Sequence, residues 1–108
     1  MTEEINTTKK ILGKLERIVL QMRQNQDNAI TEVGEILPEL VRIFQELFRM
    51  AEAQITEIPE IPVDILIQQL ENFEQFYQQQ DIVQLADTLE YELQESIRFY
   101  IEILKNME

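Results

Sequence analysis

No histidine, cysteine or tryptophan occurs in this chain, and only two glycines and three prolines interrupt it. Histidine is the side chain whose ordinary pKa suits proton transfer near neutrality, and cysteine is the readiest nucleophile. Soft metal sites draw on one or both. Their absence removes most enzyme chemistry, and without cysteine there is no disulfide framework, as suits a reducing compartment. No Gly-rich phosphate loop and no Gly-x-Ser-x-Gly turn is present. No stretch reaches the ~20 apolar residues of a bilayer span. The opening Met1-Thr2-Glu3-Glu4-Ile5-Asn6 lacks the basic, apolar, small-residue order of a signal peptide. The expectation is a soluble cytoplasmic protein that is not an enzyme, with no catalytic residue, metal ligand or cofactor.

Positive charge is the next scarcity. The formal charge is −12, and it is unevenly spread. Residues 1–27 hold five basic against four acidic residues, whereas residues 28–80 hold two against ten and residues 81–108 two against seven. So acidic a chain repels phosphate backbones and anionic lipid, which argues against direct nucleic-acid or membrane binding. Solubility accounts for the charge in the simplest way. A sharper use is an acidic decoy that occupies the basic surface of a nucleic-acid-binding protein.

What is present is helical periodicity. Ile5, Thr8, Leu12, Leu15, Val19 and Met22 recur at steps of three and four, widened by Ile11 and Ile18, and predict a helix over about 3–26. Gly13 inside it suggests close approach of a neighbour. Asn25 to Asn28 reads as a turn, with Asp27 or Asn28 placed to cap the next helix. That helix, about 28–55, carries Ile30, Val33, Leu37, Leu40, Phe44, Leu47 and Ala51, broadened by Ile36, Val41, Ile43, Phe48 and Met50. So wide a stripe predicts the most buried helix of the set. Pro38 inside it, four residues after Gly34, predicts a kink or a break near Gly34–Pro38.

Pro59 and Pro62 mark a crossing segment whose Ile58 and Ile61 pack back on the bundle. A third helix over about 62–79 uses Val63, Leu66, Ile67, Leu70, Phe73 and Tyr77. Asp81 and Gln84 form a capping-box pair that opens a fourth, over about 81–106, with Ile82, Leu85, Ala86, Leu89, Leu93, Ile97, Tyr100, Ile101 and Leu104 inward. Short turns imply antiparallel neighbours. The expected fold is all-α: a single-domain, antiparallel, up-and-down four-helix bundle.

Carboxylates are plentiful, but Glu90, Glu92 and Glu95 flank the apolar stripe of the fourth helix and do not lie on it. They read as a solvated face rather than as a carboxylate-bridged metal site or a paired-carboxylate hydrolase. More informative are apolar residues off their own stripe. Ile65 and Phe76 both point ~110° from the expected core direction of the third helix and within ~20° of each other. Tyr91 points away from the stripe of the fourth helix and Phe99 lies off its centre. These four are the candidate partner-interface residues, for another protein or for a second copy in a homodimer.

The segment Asp81 to Leu93, through Leu85-Ala86-Asp87 and Leu89-Glu90-Tyr91-Glu92-Leu93, resembles one found in small, uncharacterised helical proteins of Gram-positive bacteria. That resemblance implies no activity and assigns no functional residue. Small secreted WXG-type helical hairpins are not matched, because tryptophan is absent. The composition and pattern together point to a helical protein-interaction module acting as adaptor, chaperone or inhibitor.

Overall fold

The computed structural model describes residues 2–26, 28–55 and 58–107. Its helices are α1 (Thr2–Arg23), α2 (Ala29–Ala53), α3 (Val63–Gln79), α4 (Ile82–Thr88), a π-helical segment (Leu89–Leu93) and α5 (Gln94–Asn106). Backbone angles at Thr88, Leu89, Leu93 and Gln94 are all right-handed helical, so the last three pieces form one continuous fourth rod. The fold is the all-α bundle expected, with no strand among the described residues. Ion pairs mark its antiparallel neighbours: Arg42 on α2 reaches Glu4 near the start of α1, and Arg23 at the end of α1 reaches Asp87 and Glu90. α1 is wedged between α2 and the fourth rod, while α3 leans mainly on the fourth rod and only lightly on α2.

With its two glycines inside helices, the chain ends helices by other means. Asn25, Gln54 and Gln80 adopt left-handed backbone angles, with φ of 57°, 51° and 52°. Around Gln80 the Gln80 N–H donates to the Tyr77 carbonyl at 3.2 Å and the Asp81 N–H to the Phe76 carbonyl at 3.1 Å. Asn25 and Gln26 repeat the same Schellman pattern on Met22 and Gln21. This is why α1 closes at Arg23, short of the expected Gln26. Asp81 caps α4 as expected, accepting from the Gln84 N–H at 3.2 Å. Its own N–H is already committed to α3, so the returning half of the capping box does not form. Asn28 stands at the start of α2 but makes no side-chain cap bond; Asp27 lies outside the described residues. Pro62 precedes α3 as its cap residue and is not its first turn.

α2 runs unbroken through Pro38, which excludes the break and leaves the kink of the two alternatives. The proline is exposed, which leaves the lost backbone bond on the side where water can replace it. Gly13 does not have the role expected of it. A Cβ at Gly13 would meet nothing within 4 Å, whereas one at Gly34 would lie 2.8 Å from the Tyr77 hydroxyl. Gly34, not Gly13, is the point of close approach, and it admits the α3 tyrosine against the backbone of α2.

The most buried rod is the fourth rather than the second. Twelve of its residues are buried, against eight on α2 and two, Leu66 and Phe73, on α3. The π segment explains how so many reach the core. Leu85, Leu89, Leu93 and Ile97 follow one another at three successive steps of four. In an ideal helix each such step overshoots the face by ~40°, or ~120° after three. One wide turn, seen in the bond from the Gln94 N–H to the Leu89 carbonyl, absorbs most of that drift. Ile61 is buried and Ile58 half-buried against the core, so the crossing segment folds back as expected.

Candidate functional site

Across the seam between α1 and the π segment lies an open groove of about 530 Å³. Val19 and Leu20 come from α1, and Tyr91 and Gln94 from the wide turn and its exit. Leu20 is 56% exposed and Tyr91 65%, so two large apolar side chains on different helices face solvent in one depression. Tyr91 points outward, as its off-stripe position implies, while Leu89 and Leu93 on either side of it stay buried.

An arginine is fixed at each end of this apolar floor. Arg23 donates from Nε to Glu90 at 3.1 Å and from Nη2 to Asp87 at 3.0 Å. Those hydrogen bonds, Asp87's first, raise its pKa further above the ordinary guanidinium value. Its guanidinium carbon stands 6.0 Å from the Tyr91 ring centroid, at the outer reach of a cation–π contact. Arg98 donates to Glu95 at 2.7 Å and to Glu16 at 3.4 Å. The Glu90 carboxylate raises the pKa of the Tyr91 phenol, by hydrogen bonding first and by charge second. Both guanidiniums are thus occupied by carboxylates of the protein itself. What the lining offers is a shaped apolar floor with an ordered polar rim. No group of three acidic residues suited to hold a metal occurs among the described residues.

The four residues singled out from sequence are not gathered in one place. Tyr91 lines the groove toward α1. Ile65 is 57% exposed on α3. The hydrogen bonds from Asn72 to Glu92 and from Ser96 to Gln69 set the antiparallel register of α3 on the fourth rod, and that register brings Ile65 level with Phe99. Phe76 and Phe99 are half-buried and packed against the core, not free on the surface. The physical reason for Phe76 is that only Leu66 and Phe73 of the six stripe residues are buried, Ile67 itself being 42% exposed. Those two set a core direction roughly 40° nearer Phe76 than the whole stripe does, at 100° per residue. Leu20 is the corresponding residue on α1: it lies off that helix's apolar stripe as Tyr91 lies off the fourth, and periodicity alone marks it.

Comparison with protein-family models, with curated proteins and with solved structures gives no match to this chain. No helix of the described residues is long and apolar enough to cross a membrane.

Proposed function

We propose that this protein is a non-enzymatic cytoplasmic interaction module, an adaptor, chaperone or inhibitor, that receives an apolar side chain of a partner protein in the groove between α1 and the π segment. The observation that carries this reading is the exposure of Leu20 and Tyr91 in one groove with Arg23 held across it. Two large apolar residues in contact with water gain on being covered, and ordered arginine beside an aromatic ring is frequent where interfaces carry their energy. Ile65, level with Phe99 on the opposite seam, is a second, smaller contact surface.

The test compares capture of partners from cytosol by the wild-type protein and by Leu20→Ser/Tyr91→Ser, with Val83→Ser as a control. Val83 is 69% exposed but lies outside this groove. A partner held at high salt by wild type and Val83→Ser, but lost by the double variant, supports the reading. Retention of every partner by the double variant sinks it. A second reading, the acidic decoy, is favoured by one observation: no basic residue lies between Arg49 and Arg98. It predicts a basic partner released by salt whatever stands at positions 20 and 91.

A further inference from the structure

The seam between α1 and α2 carries a different groove, of about 410 Å³, with charge divided between its banks. Lys10, Lys14 and Arg17 line the α1 bank; Glu32, Glu35 and Glu39 line the α2 bank. No ion pair joins the banks among the described residues. The contrast with the rest of the molecule is sharp. Of the six cations outside this groove, Arg23, Arg42, Arg49, Arg98 and Lys105 each hold at least one carboxylate and Lys9 holds none, whereas none of the three cations of this bank holds one among the described residues. On the other bank Glu35 has no basic partner, and the Glu32 Oε2 atom is closed off from solvent without a hydrogen-bond donor.

We propose that this seam is the docking surface for a second copy of the chain, related by a two-fold axis running along the groove. Such an axis lays α1 of each copy on α2 of the other, so each basic bank meets an acidic bank. The alternative in-plane axis, across the groove, would lay α1 on α1 and oppose like charges. Helix spacing matches the arrangement. Lys10, Lys14 and Arg17 follow steps of four and three, and Glu39, Glu35 and Glu32 return by the same steps along the antiparallel partner. Arg17 thus comes level with Glu32, Lys14 with Glu35 and Lys10 with Glu39. Two helices side by side present a face of about 33 by 20 Å, near the ~800 Å² per partner of a standard interface. A second copy fits better than a nucleic acid or an anionic lipid, because the net charge of −12 opposes both and neither supplies the cations that the acidic bank needs.

The experiment is sedimentation velocity with native mass spectrometry, on wild type, Lys10→Glu/Lys14→Glu and Glu35→Lys/Glu39→Lys. Glu32 is left in place because it is half-buried; the four substituted residues are exposed, and circular dichroism verifies that both variants fold. Wild type should dimerise at low salt and dissociate at ~1 M salt, where the screening length is ~3 Å. Each double variant alone should self-associate at least ~100-fold more weakly, and an equimolar mixture of the two should recover a dimer of one copy of each. A wild type that stays monomeric at low salt, a dimer indifferent to either reversal, or a mixture that stays monomeric would each overturn the proposal. Substitutions at Leu20 and Tyr91, in the other groove, should leave this dimer unchanged, so its fate is separable from that of the partner-binding reading.

Discussion

α1 and α3 carry similar three-four apolar patterns and reach different depths. α1 buries seven of its 22 residues between α2 and the fourth rod. α3 buries two of its 17, leaves Ile65 and Ile67 in water, and is tied to the fourth rod by side-chain bonds, Ser96 to Gln69 and Asn72 to Glu92. The difference teaches that an amphipathic stripe states what a helix is able to bury, whereas the number of neighbours decides what it does bury. A helix with neighbours on both sides is part of the global unfolding unit. One resting mainly on a single neighbour belongs to the low-stability end of the structure, where local opening precedes global unfolding.

The largest expected effect tests that ranking directly. Leu15 on α1 and Leu66 on α3 are both buried, at 0% and 1% exposure. Leu15→Ala leaves a cavity walled on all sides and should lower stability by about 3–5 kcal/mol, near the top of the range for such truncations. Leu66→Ala opens a site from which α3 can shift or detach, and should lose about 2–3 kcal/mol, near the bottom. Urea unfolding measures both, and native-state hydrogen exchange should find the α3 amides opening below the global free energy. Equal losses with uniform protection would erase the distinction between the two helices.

The glycines sharpen it at a smaller scale. Gly13→Ala on α1 adds a methyl group in open space and should gain about 1 kcal/mol in helix propensity. Gly34→Ala adds one 2.8 Å from the Tyr77 hydroxyl and should gain less, because the end of that half-buried tyrosine must move aside. In a Tyr77→Phe background that obstacle is gone, and Gly34→Ala should recover most of the same ~1 kcal/mol. Additive behaviour of Gly34→Ala and Tyr77→Phe would show that the contact does not constrain α3.

The element count, the antiparallel order, the Asp81 cap and most of the core are legible in the sequence, because each rests on local spacing. Depth is not. Ile67 and Val41 satisfy their stripes yet stay exposed, since the space opposite them is unfilled. The π segment accommodates Leu85, Leu89, Leu93 and Ile97, whose unbroken steps of four drift across an ordinary helical face. Of the candidate contacts, Tyr91 and Ile65 are as exposed as their off-stripe positions imply. Phe76 and Phe99 are not: both pack half-buried against the core, because the buried part of a stripe, and not its whole width, sets the direction a helix faces.

Helix ends give a further comparison. α1 and α3 both close through a left-handed residue, Asn25 and Gln80. A side chain with a Cβ pays roughly 1–2 kcal/mol in that conformation, and asparagine is among the few that visit it readily. Gln80→Gly should therefore gain about 0.5–1 kcal/mol and Asn25→Gly only a few tenths. For a domain of this size that is a rise of a few degrees in Tm for the first and almost none for the second. A larger gain at Asn25 would mean that the end of α1 is the more strained of the two.

The smallest effect concerns pH, and it separates the α1–α2 side from α3, which has no basic residue. On α2 the Arg49 guanidinium lowers the pKa of the Glu46 carboxyl, by its hydrogen bond first and by charge second, against the opposing effect of partial burial. A carboxyl that titrates lower when folded than when unfolded contributes stability above the ordinary carboxylate range. That contribution is lost as pH falls through the folded value. Arg49→Met removes the cause and should flatten the acid limb of the stability curve while leaving the neutral region almost unchanged, because the pair is partly exposed. Acid unfolding followed by circular dichroism reads the slope, and hydrogen exchange locates it. Acid loosening that begins in α2 would assign this sensitivity to the ion-paired half of the bundle. Loosening that begins in α3 and is indifferent to position 49 would mean that shallow packing, and not charge, sets the acid response.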